Sequence, residues 1–382
     1  MTDTSGAPRI AIACSGLGHI QRGIESWAAD LARALQRAGS DTTLFGGAPG
    51  PGIVALPCLR RTGPAAVAIA RVLRHLGGWR YGCGSPYELE QTSFALPLWR
   101  RIQHRFDILH VQDPAIALWL EAARRRGLSR AKVIYANGTG EGTEVMRRFA
   151  HLQLLTNEAR DAWMPARPPG QSVFTIPNFI DTDRFSPGDQ VRARQSLGLP
   201  AEGLIVLCCA AIRRFHKRID YLLDEFASVA SALPPDTVLV IAGGREDDTD
   251  SLIAAGTQRL GNRVRFLPDL PRARMPELYR AADLFTLASL HEMFGIVLLE
   301  AMATGLPVLC HDAPGFRRVV GPGGLYRDLS AAGGLAGGLM ALCDPATRVA
   351  LSSAARAHVV RHYAEDVVVP DIIAMYGAVL HG

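Results

Sequence analysis

Residues 8–45 constrain the fold more than any other stretch, because they run strand, glycine turn, helix, strand. Pro-Arg-Ile-Ala-Ile-Ala-Cys (8–14) is apolar at nearly every position, as a strand covered on both faces requires. Ser15-Gly-Leu-Gly-His19 is a tight turn. From Gly23 to Ala38, Ile24, Trp27, Leu31 and Leu35 share one helical face, and Thr42-Thr-Leu-Phe45 is the next strand. The pattern opens a parallel α/β sheet. Further strands are expected at Ile108–Val111 and Lys132–Tyr135, with a helix from Ala115 to Arg125 between them.

A second α/β series starts at Leu204. Its strands are expected at 204–209, 237–242, 263–267 and 284–288, with helices at 219–232 and 275–281 and a last helix at 366–380. Between the two series, Val173 to Pro187 is poor in helix formers and bracketed by prolines, so it reads as the linker. At 382 residues the chain suits two domains, expected over 1–177 and 178–365. Doubly wound sheets bind ligands beyond their strand C-termini, which puts the expected site in a cleft where the two domains face each other.

Composition narrows the function classes. Hydrophobic residues make up 48% and charged residues 20%, as in soluble globular proteins. No apolar stretch reaches membrane-spanning length, and the first residues lack a basic segment followed by an apolar one, so a cytoplasmic protein without a leader is expected. Seven Cys, an odd number without a CxxC pair, fit a reducing compartment, and no Cys/His spacing suggests a metal site. Residues 1–177 carry 21 Lys+Arg against 13 Asp+Glu, and residues 178–382 carry 20 against 23. The positive half could meet an anionic acceptor or a phospholipid surface. Nothing resembles a nucleic-acid module. Lys132 and Lys217 are the only lysines, which hints that a compact ammonium is needed at each.

The chemistry concentrates in His291-Glu-Met-Phe-Gly-Ile-Val-Leu-Leu-Glu300-Ala-Met-Ala-Thr-Gly-Leu-Pro307. Between Met293 and Cys310, Glu300 is the single charged residue, so its helix must be buried nearly all round. A carboxylate there is costly unless it is hydrogen-bonded. Gly305 and Pro307 stop the helix, and Leu306 to Cys310 follows as a buried strand. Glu292 falls in the turn ahead of the helix, beside the free N–H groups of its first turn. Such an arrangement suits a polyhydroxylated, phosphorylated ligand. The alternative is a helix-capping Glu292 with a Glu300 paired to a neighbouring Arg.

Taken together, these segments make the chain resemble retaining nucleotide-sugar glycosyltransferases of the GT-B architecture, family 4. The resemblance is carried by Gly16-Leu-Gly18 with Gly23-Ile-Glu25, by Ile176-Pro-Asn-Phe-Ile-Asp181, by Arg213-Arg-Phe-His-Lys217-Arg218 and by Val240-Ile-Ala-Gly-Gly244. Leu278-Tyr-Arg-Ala-Ala-Asp283 and the Glu292-x7-Glu300 pair complete it. It implies an N-terminal acceptor-binding domain, joined by the C-terminal helix 366–382, and a C-terminal donor-binding domain. It also implies transfer of a glucose-, mannose- or N-acetylglucosamine-type residue from a UDP- or GDP-sugar to a glycan, glycolipid or natural-product hydroxyl, without metal or other cofactor.

By the same resemblance, Glu292 holds hydroxyls of the donor sugar and Glu300 the ribose. The N–H groups of Phe294, Gly295 and Ile296 meet the sugar and distal phosphate, and Lys217 with Arg213 meets the charge of the leaving diphosphate. Gly16, Gly18 and Gly243 allow close approach of the donor, and backbone around Phe266–Leu270, including Leu267, meets the base. The family pattern has Gly-Arg ahead of the Lys and Gly after it, where this chain has Ala211-Ile212-Arg213 and Arg218. Relatives place a His near Asn137, which leaves His19 and His110, with Asn137 itself, as candidate acceptor or sugar contacts.

Two basic amphipathic stretches, Leu98–Phe106 and Ala65–Leu76, could lie on the inner, anionic membrane face, or could pack an apolar face on the sheet. Two rival functions share the fold: a sugar-nucleotide epimerase, and a nucleotide-sugar-binding protein with a decayed site.

Overall fold

The computed structural model describes residues 7–138 and 140–382. The expectation about a leader at the first residues, and Thr139 of the segment after the strand at 132, lie outside the described residues. The chain forms two compact units, one running to Asn178 and including Val368–Gly382, the other Phe179–Val367.

In the first unit, strands β1 (Ile10–Cys14), β2 (Thr42–Gly46), β3 (Ile53–Ala55), β4 (Ile108–Val111), β5 (Lys132–Ala136), β6 (His151–Leu154) and β7 (Ser172–Thr175) form one sheet. Its order is β3-β2-β1-β4-β5-β6-β7, with parallel pairing throughout. Every residue of β1 is buried, as its unbroken apolar sequence demands. Helices α1 (Gly23–Arg37), α3 (Pro86–Ile102) and α4 (Pro114–Arg125) cover the sheet, α2 (Pro64–His75) packs on α3, and Phe94, Leu98, Ile116 and Leu120 join β4 and β5 in the sheet's core. The strand order reverses direction between β1 and β4.

The last helix, Glu365–His381, is tied to this unit by long-range bonds at two of the unit's side chains, His110 and Lys132. Tyr376 OH and His110 Nδ1 are 2.8 Å apart, and Lys132 Nζ donates to Val379 O at 2.6 Å. Lys132 thus satisfies a carbonyl at the helix C-terminus, where the helix dipole favours a cation.

The second unit holds β8 (Ile205–Cys209), β9 (Val238–Gly243), β10 (Val264–Pro268), β11 (Leu284–Thr286), β12 (Val308–His311) and β13 (Gly324–Arg327). They pair in parallel in the order β10-β9-β8-β11-β12-β13, so direction reverses between β8 and β11.

One expectation is corrected, and one left between two readings is decided. The stretch Val173–Pro187 is not all linker: β7 occupies Ser172–Thr175, registered on β6 with Leu152 opposite Val173. Each β7 residue is only half-buried, so the apolar signature of a core strand is absent. Of the two readings of Leu98–Phe106, the one that packs its apolar face on the sheet holds. Leu98 and Ile102 end α3 as buried core, with Trp99 and Phe106 packed against them, so its apolar side is not free for a membrane.

Candidate functional site

Helix Ile296–Ala303 begins at Gly295, whose φ of +78° is left-handed and whose lack of a side chain leaves the first turn uncapped. The amides of Phe294, Gly295 and Ile296 donate to no acceptor among the described residues, so they stand free with the positive end of the helix dipole. Phe294 is buried edge-on against Tyr363, which fixes the turn.

Glu292 lies three residues ahead of Gly295 and does not cap the helix. Its Oε1 accepts from Lys217 Nζ at 2.5 Å. Arg213, His216 and His291 share the neighbourhood. Burial pushes the His216 imidazole below its ordinary pKa, Lys217 adds to the effect and Glu292 opposes it. Arg213 is half-buried, and its Nε has no hydrogen-bond partner among the described residues.

The lysine is held by an unusual backbone. His216 and Arg218, on either side of it, both have positive φ, 68° and 51°. Such conformations cost a side-chain-bearing residue roughly 1–3 kcal/mol unless the surroundings enforce them. Here Arg218 Nη1 donates to Leu329 O at 2.6 Å and Ala288 O at 3.2 Å, and its guanidinium sits 4.0 Å over the Tyr221 ring.

Glu300 is 2% exposed. Its Oε2 accepts from Tyr279 OH at 2.7 Å and its Oε1 from Arg272 Nη1 at 3.2 Å, so the pairing with a neighbouring Arg is present. Neither partner was singled out from sequence. Tyr279 lies in the quoted Leu278–Asp283 segment, but a Tyr on an apolar helix face announces core as readily as a carboxylate partner. Gly243 closes β9, and a Cβ there would fall 1.7 Å from Ala210 O. Its carbonyl accepts from Asp269 N at 2.9 Å, which ties the end of β9 to the turn after Leu267 in β10.

At the β1/β4 switch point of the first unit, Ser15 N and Oγ both donate to Asp113 Oδ2, at 2.7 and 2.8 Å. Gly18 follows with φ +93°, and a Cβ there would fall 2.3 Å from Ala48 O. A Cβ on Gly16 would strike the Glu25 carboxylate. His19 Nε2 lies 3.1 Å from Glu90 Oε2, and Arg61 Nε donates to Glu90 Oε1 at 2.9 Å while its Nη2 lies 3.5 Å from Glu25. Burial alone would raise the Glu90 carboxyl, but the bonds from His19 and Arg61 bring it down to about 2. Asp113 is raised to about 6: burial lifts it, the Ser15 bonds offset part of that, and Glu25 lifts it further. Asp113 Oδ1 and Glu25 Oε2 are buried without a donor among the described residues. Glu25, Arg61, Glu90 and Asp113 were given no role from sequence, since only the fold gathers positions so far apart.

His110, expected as a sugar or acceptor contact, is corrected. It is 0% exposed, bonded to Tyr376 and edge-on to Trp27, and burial lowers its pKa to about 3. Asn137 is buried at the end of β5, where its Oδ1 accepts from Gly140 N and Glu141 N and shapes its own loop. Among the described residues no group of three or more His, Cys, Asp or Glu could hold a metal ion.

Known proteins match both units. The family model described as Glycosyltransferase Family 4 matches residues 21–184, and that described as Glycosyl transferases group 1 matches 189–336. A D-inositol 3-phosphate glycosyltransferase of Acidothermus cellulolyticus is 34% identical over 206 residues, 51% of this chain and 46% of that protein. One from Salinispora tropica is 34% identical over 215 residues, 52% of this chain and 44% of that protein. The matches thus span less than half the length of these curated relatives. Among solved structures, sucrose-phosphate synthase from Thermosynechococcus elongatus superposes with a TM-score of 0.73 at 18% identity, over 98% of this chain and 99% of that one. HepE of Anabaena, in complex with UDP-glucose, gives 0.71 at 19% identity, over 97% and 100%. At such identities the likeness establishes the fold. With two Rossmann-like parallel-sheet units and both family models matched in sequence order, the chain belongs to the GT-B glycosyltransferases of family 4.

Proposed function

We propose that the protein transfers a hexosyl residue from a nucleotide diphosphate sugar, UDP- or GDP-linked, to an acceptor hydroxyl with retention of anomeric configuration. The observation that carries this is the Lys217–Glu292 pair set beside an uncapped helix start with three free amides. Free amides at a helix N-terminus and an ammonium are the groups that a departing diphosphate requires. Lys217 has three N–H donors, so it can keep Glu292 and still donate to a phosphate oxygen. Glu292, as an acceptor, suits sugar hydroxyls, and Glu300 suits the ribose.

In the proposed step the bond from the anomeric carbon to the diphosphate oxygen breaks while the acceptor oxygen bonds to that carbon on the same face. The acceptor proton passes to the leaving phosphate, so the protein supplies position and charge stabilisation. The acceptor side is proposed for the first unit, where Asp113 and Glu25 each leave one carboxylate oxygen without a donor. The names of the relatives support this class: inositol-phosphate glycosyltransferases by sequence, and a UDP-glucose complex by fold.

The test incubates the protein with UDP-glucose or GDP-mannose, with and without a panel of polyol and glycan acceptors, and follows diphosphate release and product anomer by NMR. Acceptor-dependent release with an α-product is expected. A β-product overturns retention, isomerised donor without acceptor indicates an epimerase, and donor binding without turnover indicates a decayed site.

A further inference from the structure

We propose that α2 and the turn after it dock the protein on an anionic lipid surface. Helix α2 carries three kinds of residue along its length. Ala66 and Ala70 are buried, with Leu73 packed beside them against Leu89 of α3, and this stripe fastens the helix to the unit. About a quarter-turn away, Ile69, Val72 and Leu76 recur at helical spacing yet stay in solvent, Val72 at 59% and Leu76 at 75% exposure. Arg71, Arg74 and His75 occupy the remaining side. A helix already anchored by one stripe does not need a second apolar one for folding.

The turn that follows extends the surface. Trp79 and Tyr81 are 61% and 68% exposed, with the Arg80 guanidinium 5.1 Å over the Trp79 ring. Exposed Trp and Tyr next to arginine is the chemistry of a membrane interface, where an amphipathic ring sits at headgroup level.

Charge selects the occupant. Between Asp41 and Glu88 the sequence has no Asp or Glu; Arg61 is already paired with Glu90, which leaves Arg60, Arg71, Arg74 and Arg80 for a surface partner. A second copy of this face would bring the same arginines together with no acid in the segment to answer them. An anionic headgroup layer answers them all while its acyl boundary takes Val72 and Leu76. The helix has 12 residues, too short to cross a bilayer, so it would lie in the interface plane. This surface is separate from the groups proposed for transfer, and its test does not depend on turnover.

The full chain is sedimented with phosphatidylcholine vesicles containing or lacking phosphatidylglycerol, at low and high salt. Binding to the anionic vesicles alone, weakened by salt, is expected. Arg71→Gln with Arg74→Gln should weaken partition about 25-fold, near fivefold for each arginine. Val72→Asp with Leu76→Asp should abolish it. These side chains are in solvent, so an unchanged melting temperature verifies that each variant folds. No binding at low salt, equal binding to neutral vesicles, or binding indifferent to both pairs of substitutions overturns the proposal. So does a dimer that Leu76→Asp dissociates without any vesicle binding, which would assign the face to a second copy.

Discussion

Lys217 Nζ donates to Glu292 Oε1 at 2.5 Å across 75 residues of sequence, joining the turn before helix Ile219–Val229 to the turn before helix Ile296–Ala303. Two groups that share a bond and act on one ligand should not be additive on mutation. Lys217→Ala and Glu292→Ala are each expected to lower turnover by roughly 10²–10³-fold. The double variant should be little worse than the poorer single one. Steady-state kinetics of all three give the coupling, and full donor turnover by Glu292→Ala would remove Glu292 from the mechanism.

Glu300 has two possible duties that substitution can separate. Tyr279→Phe keeps the carboxylate but deletes one buried bond to it, which should cost about 1.5–3 kcal/mol of stability with a small effect on nucleotide affinity. Glu300→Gln keeps the shape but removes the charge, and should weaken diphosphate binding at least tenfold. Chemical denaturation and calorimetric titration with UDP and GDP measure the two effects. If Glu300→Gln binds both nucleotides as the parent does, the residue is a core ion-pair partner of Arg272 and nothing more.

Arg218 is expected to hold Lys217 in place through its bonds to Leu329 O and Ala288 O. Arg218→Ala loses these bonds and keeps the left-handed backbone, whereas Arg218→Gly loses the bonds but relieves the strain. The Gly variant should therefore be the more stable of the two by about 1 kcal/mol. Both should turn over more slowly than the parent. Urea unfolding ranks them, and an Ala variant as stable as the Gly variant would show that no strain is stored there.

Asp113 gives a pH dependence with a definite sign. Its folded pKa, about 6, lies above the ordinary aspartate value of 3.8, so its stabilising contribution is complete below pH 4 and is lost as pH rises through 6. Asp113→Asn can still accept the Ser15 bonds but has no proton to lose. Its stability relative to the parent should rise between pH 4 and 7, by at most about 3 kcal/mol. Glu90, held to about 2, acts in the opposite direction, losing its contribution as pH falls below the usual carboxylate range, and it does so in both proteins. Melting curves at each pH would show the difference; a constant offset between the two proteins contradicts it.

Much of the fold was legible because parallel strands buried on both faces have little freedom in sequence. Ile10–Cys14 and Ile205–Cys209 are buried at every position, and both were readable as strands. β7 was not, since its half-buried residues carry no such signature. The long helix Pro345–Tyr363 also left little trace, because an Ala- and Arg-rich helix with few buried residues shows almost no apolar periodicity. At the site, Glu292, Lys217 and Glu300 stood out as charges in apolar or biased surroundings. Arg272 and Tyr279 lay in ordinary amphipathic sequence and did not.

The sequence alone determined the alternation of strands and helices, the apolar helix ahead of Gly305 and the two carboxylates, Glu292 before it and Glu300 within it. Those are local matters of periodicity, backbone freedom and composition. Tertiary structure decided which charges meet. It placed Lys217 on Glu292 and Arg272 on Glu300, withdrew His110 into the core, and left one apolar stripe of α2 in water while burying another. These outcomes depend on which surfaces the packed sheets cover, and one-dimensional spacing does not record that.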